Sequence, residues 1–214
     1  MKTILFQGDS VTDCGRSRDN DSWLGSGYPL LIEAALGLDA PGEYRFINRG
    51  VSGDRVASVY KRRKEDIIDL KPDFMSLLIG VNDIWHPLNQ GIITDTAELE
   101  AQLDTLICEV QSALPETKIL LMAPFILRAA ATDDSPDLPN RFSSFYRGVR
   151  EIAERMQNLA AKRNVAFLDL QSAFEEAAKA AEPSYWLADG VHPTIKGHEL
   201  IKRELLKKLK EIEV

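Results

Sequence analysis

The segment Asp189-Gly190-Val191-His192-Pro193 holds an aspartate and a histidine three residues apart. On one short loop this spacing can place the carboxylate against one imidazole nitrogen and leave the other nitrogen free. A histidine held in this way is a general base of the kind that activates a serine hydroxyl for attack on a carbonyl carbon. We therefore interpret His192 as functional, and His86 and His198 as a loop histidine and a helix histidine.

A serine suited to such a base is Ser10, in the triplet Gly8-Asp9-Ser10 directly after the first apolar run. A serine between a strand and a helix projects its hydroxyl from the sheet edge, and its backbone N–H points where an anion could bind. Taken alone, the triplet is more typical of a helix cap. The strict Gly-x-Ser-x-Gly pattern of α/β-hydrolases is absent because Thr12 occupies its last glycine position.

Hydrogen-bond donors for a negatively charged oxygen are offered by two further motifs, 48–54 and 80–83. In the first, a glycine lets the backbone approach a ligand closely and present an N–H to it. In the second, the amide of Asn82 stands at a predicted strand end, where it can donate to an oxyanion. Each motif alone is also typical of an ordinary turn. The residues leave open whether Gly50 or Gly53 is the donor.

Five short apolar runs position these motifs, and each is bounded by polar or turn residues. We predict strands at 3–7, 44–48, 74–79, 118–123 and 165–168. Amphipathic segments between them predict helices near 28–37, 56–70, 94–113, 141–163, 171–181 and 194–211. Strands that alternate with helices imply a parallel sheet covered on both faces. The sequence thus predicts one α/β domain over residues 1–214, a three-layer α/β/α sandwich with a flavodoxin-like five-stranded parallel sheet.

Two polar stretches, 13–27 and 128–140, interrupt this alternation. They are interpreted either as plain surface loops or as the walls of a cleft. Ligands of open α/β sheets bind beyond the carboxyl ends of the strands, where such loops lie.

The composition excludes several classes of protein. Apolar residues make up 44% and charged residues 28% of the 214 residues, which is typical of a globular chain rather than a disordered or collagen-like one. The net charge of -7 disfavours nucleic acid as a partner. Cys14 and Cys108 form no disulfide framework. No apolar run approaches a membrane span and no signal peptide is evident, so we expect a cytoplasmic protein with no membrane partner.

The four motifs occur in a fixed order, the first three directly after predicted strands and the fourth just before the last helix. In this arrangement they resemble the sequence blocks of the SGNH hydrolases, the GDSL lipase/acylhydrolase superfamily. The resemblance runs from Gly8 to Pro193. It implies a triad of the nucleophile Ser10, the base His192 and its orienter Asp189. It also implies an oxyanion hole formed by Ser10, Gly53 and Asn82, since the family pattern favours Gly53 over Gly50. The implied activity is serine ester hydrolysis through an acyl-enzyme, with no metal or organic cofactor.

The tryptophans bear on the substrate. Trp85 and Trp186 flank catalytic motifs and are predicted to line the cleft and bind substrate, whereas Trp23 fits a core or a cleft position equally well. Flat apolar rings on an acidic protein suit a sugar better than a long acyl chain. Segments 8–18 and 189–198, with Trp85, resemble intracellular carbohydrate acetyl esterases. That resemblance implies removal of acetyl groups from a small carbohydrate, and assembly into homo-oligomers.

The main alternative is a metal-dependent phosphoesterase, since aspartate, asparagine and histidine side chains at the sheet edge could gather a divalent ion. The residues concerned are Asp9, Asn82, Asp83, Asp189 and His192. Against it, Val11 stands where such enzymes carry the histidine of Asp-x-His, or the second aspartate of Asp-x-Asp. A non-catalytic flavodoxin-like binding module is the third option, and it leaves the pair of Asp189 and His192 unexplained.

Overall fold

The computed structural model describes residues 1–213 and contains a five-stranded sheet in which all neighbouring strands run parallel. The strands are β1 (Lys2–Gly8), β2 (Tyr44–Asn48), β3 (Phe74–Leu78), β4 (Lys118–Met122) and β5 (Ala166–Leu168). Their order in the sheet is β2-β1-β3-β4-β5, which is the flavodoxin-like order. The predicted fold class is therefore confirmed.

Helices are described at the following positions: α1 (Ser10–Asp13), α2 (Tyr28–Asp39), α3 (Val56–Lys61), α4 (Val81–Leu88), α5 (Thr96–Ala113), α6 (Arg141–Arg163), α7 (Gln171–Ala177), α8 (Pro183–Trp186) and α9 (Ile195–Glu211). Helices α2, α7 and α9 pack on one face of the sheet, and α3, α5 and α6 pack on the other. The two helical layers and the sheet form the three-layer sandwich.

The strands are largely apolar because the sheet is buried on both faces. Side chains alternate between the faces along each strand. In β1, Ile4 and Phe6 pack with α2 and α9, while Leu5 packs with the opposite layer. The same alternation places Leu120 on the first face and Leu121 on the second. A hydrophobic core on each face thus holds the sheet in place. The positions of the carboxyl ends of the strands are set by the same packing.

One predicted helix is divided. The segment 56–70 was expected to be continuous, but α3 ends at Lys61 and a π-helical turn follows at Lys64–Ile68. The break lies at Arg62, whose guanidinium donates hydrogen bonds to the Asp54 carboxylate and to the Arg49 carbonyl. The side chain thereby ties this part of the chain to the loop after β2.

Helix α4 occupies a segment that the sequence did not predict as helical. Its apolar residues Val81, Ile84 and Leu88 recur at helical spacing and are buried, which is the signal that could have revealed it. Pro87 obscures that signal because it lacks the N–H that would bond four residues back. The Asp83 carbonyl accepts a hydrogen bond from the Thr94 hydroxyl instead. A helix that contains proline near its end is therefore tolerated here.

Among residues 1–213, none of the helices combines the length and the apolar character needed to cross a bilayer.

The packing predicts how two leucine truncations differ. Leu121 in β4 is fully buried and Leu38 in α2 is 81% exposed. We expect Leu121→Ala to lower the free energy of unfolding by about 2–5 kcal/mol, because it removes buried surface and leaves a cavity. Leu38→Ala, the matched control, should change it by no more than about 0.5 kcal/mol. Chemical denaturation of both variants measures this, and equal losses would contradict the assignment of the core.

Candidate active site

Ser10 is placed at the carboxyl edge of the sheet by the end of β1. The strand closes at Gly8, and Asp9 caps helix α1 by accepting a hydrogen bond from the Val11 N–H at 3.0 Å. Ser10 is the first residue of that helix and is half-buried. Strands β1 and β3 are neighbours, but α2, which follows β1, and α5, which follows β3, pack on opposite faces of the sheet. This divergence creates the crevice in which open α/β sheets bind ligands.

A chain of hydrogen bonds joins Ser10 to the Asp189–His192 loop. The Ser10 Oγ lies 2.9 Å from His192 Nε2. The other ring nitrogen, Nδ1, lies 2.7 Å from Asp189 Oδ2. Since an ionised carboxylate only accepts, Nδ1 carries the proton, and Nε2 is free to accept one from the hydroxyl. The structure thus brings together all three residues of the predicted triad.

The Asp189 carboxylate is held by its own loop. Its Oδ1 accepts hydrogen bonds from the N–H groups of Val191 and His192, at 2.9 and 2.8 Å. Burial opposes ionisation of this group, but the hydrogen bonds from His192 and Val191 outweigh it and hold the pKa of Asp189 well below its ordinary range. The hydrogen bond to the same carboxylate raises the pKa of His192 above 6.5, although burial opposes this.

The two glycines of the loop after β2 have different surroundings. A Cβ at Gly50 would lie 2.4 Å from the Asp13 backbone nitrogen, so a glycine is required there by close packing against α1. Gly53 has a φ of +83° and nothing within 4 Å of its Cβ position. Within residues 1–213, neither Gly53 nor Ser10 donates its N–H to a protein acceptor. This geometry favours Gly53 over Gly50 as an oxyanion donor.

Asn82 lies in the first turn of α4, directly beyond β3, and it is 3% exposed. Its amide nitrogen donates a hydrogen bond to the Asp54 carbonyl at 3.0 Å. An amide carries two N–H groups, so the second stays available to another acceptor. The bond also ties Asn82 to the residue that follows Gly53. Two of the three predicted oxyanion donors, Gly53 and Asn82, are therefore connected through Asp54.

Two buried carboxyls near the site differ from Asp189. Burial raises the pKa of Asp9 and of Asp83 to about 7. Asp9 caps α1 by accepting from the Val11 N–H, and Asp83 accepts from the Val56 N–H at the start of α3. Within residues 1–213, no group of three or more histidine, cysteine, aspartate or glutamate side chains is arranged to hold a metal ion.

The three tryptophans lie in different surroundings. The Trp85 ring centroid is 5.9 Å from that of His192, and its buried Nε1 has no hydrogen-bond partner within residues 1–213. Trp186 lines a groove of about 500 Å³ together with Leu31 of α2, Tyr185 of α8 and residues of α9. Trp23 is 53% exposed and donates to the Gly15 carbonyl of its own loop. Trp85 is thus the tryptophan in contact with the triad.

The remaining histidines lie outside the hydrogen-bonded triad. His198 is buried, and its Nδ1 accepts the Tyr28 N–H at 3.1 Å. Burial lowers the pKa of His198 to about 4, so the ring stays neutral. Its Nε2 lies 3.5 Å from the sulfur of half-buried Cys14. His86 lies 3.4 Å from the Arg55 guanidinium. These contacts agree with structural roles for both histidines.

Both polar loops lie against the residues of the site. In the stretch 128–140, the Ala131 N–H donates to the Asp189 carbonyl at 2.8 Å. In the stretch 13–27, Arg16 and Arg18 donate to the Gly50 carbonyl at 2.7 and 3.1 Å. Sequence reasoning missed these contacts, and also the bonds between Asp13 and Ser52, because the partners are far apart along the chain and follow no pattern.

Comparison with known proteins gives a consistent result. The model of the GDSL-like lipase/acylhydrolase family matches residues 6–200. The chain is 33% identical over 215 aligned residues to an acetylxylan esterase of Geobacillus stearothermophilus, covering 96% of this chain and 93% of the relative.

Solved structures extend the likeness to the fold. A crystal structure of the Geobacillus esterase has a TM-score of 0.84 at 32% identity, covering 97% of this chain and 94% of that one. A protein described as a GDSL-like lipase from Parabacteroides merdae has a TM-score of 0.83 at 35% identity, covering 98% and 95%. Catalytic mutants of the Geobacillus esterase replace a serine, an aspartate and a histidine by alanine.

The family match spans most of the chain, and a relative of ester-hydrolysing activity aligns along nearly all of it. Nothing in these findings favours the phosphoesterase alternative. The chain belongs to the GDSL-like lipase/acylhydrolase family and is a carboxylic ester hydrolase.

Proposed function

We propose that this enzyme removes short acyl groups, and in particular acetyl groups from small carbohydrates, by a serine mechanism with an acyl-enzyme intermediate. The observation that carries the proposal is the continuous hydrogen-bond chain from Asp189 through His192 to Ser10. It joins a nucleophile and a base that lie 182 residues apart in the sequence. Acetyl is the acyl group suggested by the acetylxylan esterase to which the chain is similar.

In the first step the Ser10 oxygen forms a bond with the ester carbonyl carbon while its proton passes to His192 Nε2. The carbonyl electron pair moves onto the carbonyl oxygen, which becomes an oxyanion. The imidazolium formed on His192 is stabilised by the ionised Asp189 carboxylate at 2.7 Å. Asp189 thereby holds the ring in the productive tautomer without taking the proton itself.

The oxyanion needs donors that are already in place, because they then cost no reorganisation during the reaction. We assign this role to the N–H groups of Ser10 and Gly53 and to the second amide N–H of Asn82. Support comes from the two backbone groups, which have no protein acceptor within residues 1–213, and from the burial of Asn82. Loss of one such donor costs on the order of 3 kcal/mol of transition-state stabilisation.

Collapse of the tetrahedral intermediate breaks the bond to the alcohol, which leaves with the proton from His192 Nε2. The acyl group is then an ester of Ser10. Water attacks this ester, gives its proton to His192 and releases the acid, and the Ser10 hydroxyl recovers its proton. The same base and the same donors serve both halves of the cycle.

The carbohydrate preference rests on two observations. The chain is similar to an acetylxylan esterase, and the Trp85 ring beside His192 offers a flat apolar surface of the kind that packs against a sugar ring. Trp186, with its separate groove, is proposed as a second contact for the sugar portion.

Removal of either reacting group should abolish most of the activity. We expect Ser10→Ala and His192→Ala each to lower kcat at least about a thousandfold, with little further loss in the double variant, because the two residues act as a unit. Turnover of an aryl acetate by the three purified variants measures this. A Ser10→Ala enzyme that keeps most of its turnover would show that the nucleophile is another residue.

The pH dependence follows from the state of His192, which must be neutral to accept the Ser10 proton. The hydrogen bond that His192 Nδ1–H donates to Asp189 raises the pKa of His192 above 6.5, so kcat/KM should fall as pH decreases, with a midpoint above 6.5. Asp189→Asn removes the carboxylate charge and should move this midpoint to lower pH as well as slowing turnover. Burial raises the pKa of the Asp9 carboxyl to about 7, so Asp9 is the other group near the site that titrates in this range. The substitution leaves Asp9 in place, so a midpoint that belonged to Asp9 would not follow the loss of the Asp189 charge. A midpoint that stays in place on Asp189→Asn would contradict the assignment of the titration to His192.

Substrate choice should depend on Trp85. We expect Trp85→Ala to lower kcat/KM for acetylated xylo-oligosaccharides about tenfold or more while aryl acetate turnover changes little, because only the sugar uses the ring. Trp23→Ala, which alters an exposed ring bonded to its own loop, is the matched control. Wild-type rates that rise from acetyl to octanoyl aryl esters would instead indicate a long-chain lipase.

A further inference from the structure

The Asp13 carboxylate is a buried acceptor that the proposed mechanism does not use. Asp13 is the last residue of α1, one helical turn beyond Ser10, and its side chain is 6% exposed. Its Oδ2 accepts hydrogen bonds from the Ser52 N–H at 2.9 Å, from the Ser52 hydroxyl at 3.0 Å and from the Arg18 guanidinium at 2.6 Å. Three donors on one oxygen fix Ser52 against the helix that carries the nucleophile.

The segment held by these bonds is the one that presents the Gly53 N–H. Gly53 itself has nothing within 4 Å of its Cβ position, so its orientation depends on its neighbours. Ser52 is bound to Asp13 on one side. On the other side, the Asp54 carbonyl accepts from Asn82 at 3.0 Å, and the Asp54 carboxylate accepts from Arg62. The segment 52–54 is therefore anchored at both ends, with the free N–H between them.

The charge of Asp13 is compensated within this cluster. Burial opposes ionisation, but the hydrogen bonds from Arg18 and Ser52 prevail and keep the pKa of Asp13 below its ordinary value. An unpaired carboxylate near an oxyanion would repel it. Because Arg18 forms an ion pair with Asp13, the carboxylate can anchor the loop without adding net negative charge near the reaction centre.

We propose that Asp13 is a positioning residue for ester hydrolysis: through Ser52 it holds the Gly53 N–H where the oxyanion develops. The inference rests on the oxyanion role proposed above for Gly53. Correct positioning of the Gly53 N–H stabilises the transition state more than the bound ester, because the carbonyl oxygen of the ester carries no full negative charge before the reaction. In this proposal the N–H and hydroxyl of Ser52 need a hydrogen-bond acceptor on the side chain of residue 13, and that acceptor does not have to be charged.

The test compares Asp13→Ala with Asp13→Asn. We expect Asp13→Ala to lower kcat for an aryl acetate about ten- to a hundredfold with KM within about threefold, since a displaced donor costs chiefly transition-state binding. Asp13→Asn keeps an oxygen that accepts from Ser52 and should retain kcat within about fivefold. Asp21→Ala is the matched control, because it removes the ion pair with Arg49 between the same two loops and leaves Ser52 untouched.

A second readout separates positioning from general damage. An arylboronic acid forms a tetrahedral adduct with a nucleophilic serine, and one of its oxygens takes the place of the oxyanion. Its affinity should fall in Asp13→Ala by the same factor as kcat/KM and stay near wild type in Asp13→Asn and Asp21→Ala. If Asp13→Ala does not fold, Ser52→Ala, which removes one of the three donors, should shift both quantities in the same direction by a smaller factor.

The proposal is overturned if folded Asp13→Ala keeps kcat within about threefold of wild type, if only KM changes, or if Asp13→Asn is as impaired as Asp13→Ala. Those results would leave the triad intact, because Ser10→Ala would still be inactive. Retention of activity by Ser10→Ala would instead contradict the proposed function itself. The two failures are therefore distinguishable in one set of assays.

Discussion

The hydrogen bond between Ser10 and His192 joins groups 182 residues apart, and the rest of the fold determines whether it forms. Closing so long a loop costs chain entropy, which the packing of the elements in between must offset. Helix α9, which follows the His192 loop, buries Ile201, Leu205 and Leu209 in the same core as β1. The bond from the Tyr28 N–H to His198 then fixes the start of α9 beside the start of α2. The packing of α9 in this core thus sets the distance of 2.9 Å between the Ser10 Oγ and His192 Nε2.

Three aspartates at this edge of the sheet have different protonation behaviour, and their surroundings explain the difference. Asp189 accepts from the His192 ring and from two backbone N–H groups, so its charged form is favoured despite burial. Asp9 and Asp83 are more deeply buried and accept from one backbone N–H group each, and burial raises the pKa of both to about 7. Of these three aspartates, Asp189 is the one that is both stabilised in its ionised form and hydrogen-bonded to His192, which suits it to orient the base.

The sequence predicted what depends on local pattern. Short apolar runs that alternate with amphipathic segments indicated all five strands and the three-layer architecture. The spacing of Asp189 and His192 indicated a base held by a carboxylate. Features that depend on distant partners could not be predicted. Gly50 and Gly53 look equivalent in the sequence, and they differ because the backbone of Asp13 leaves no space for a Cβ at Gly50.

Helix α4 illustrates a different obstacle. Its apolar spacing is visible in the sequence, but Pro87 argues against a helix unless one knows that Thr94 will bond the Asp83 carbonyl. The role of Trp85 and Trp186 shows the same dependence on tertiary structure. Both flank catalytic motifs in the sequence, yet one ring lies beside His192 and the other in a separate groove.

In the proposed mechanism the acyl group passes through an ester of Ser10, and that ester can be trapped. The wild-type enzyme would be mixed with an aryl acetate, quenched in acid within the first turnovers, digested and examined by peptide mass spectrometry. We expect a mass increase of one acetyl group on the peptide that contains Ser10, and no such increase in Ser10→Ala. Turnover at the normal rate with no acetyl on that peptide, or with the acetyl on another residue, would contradict it.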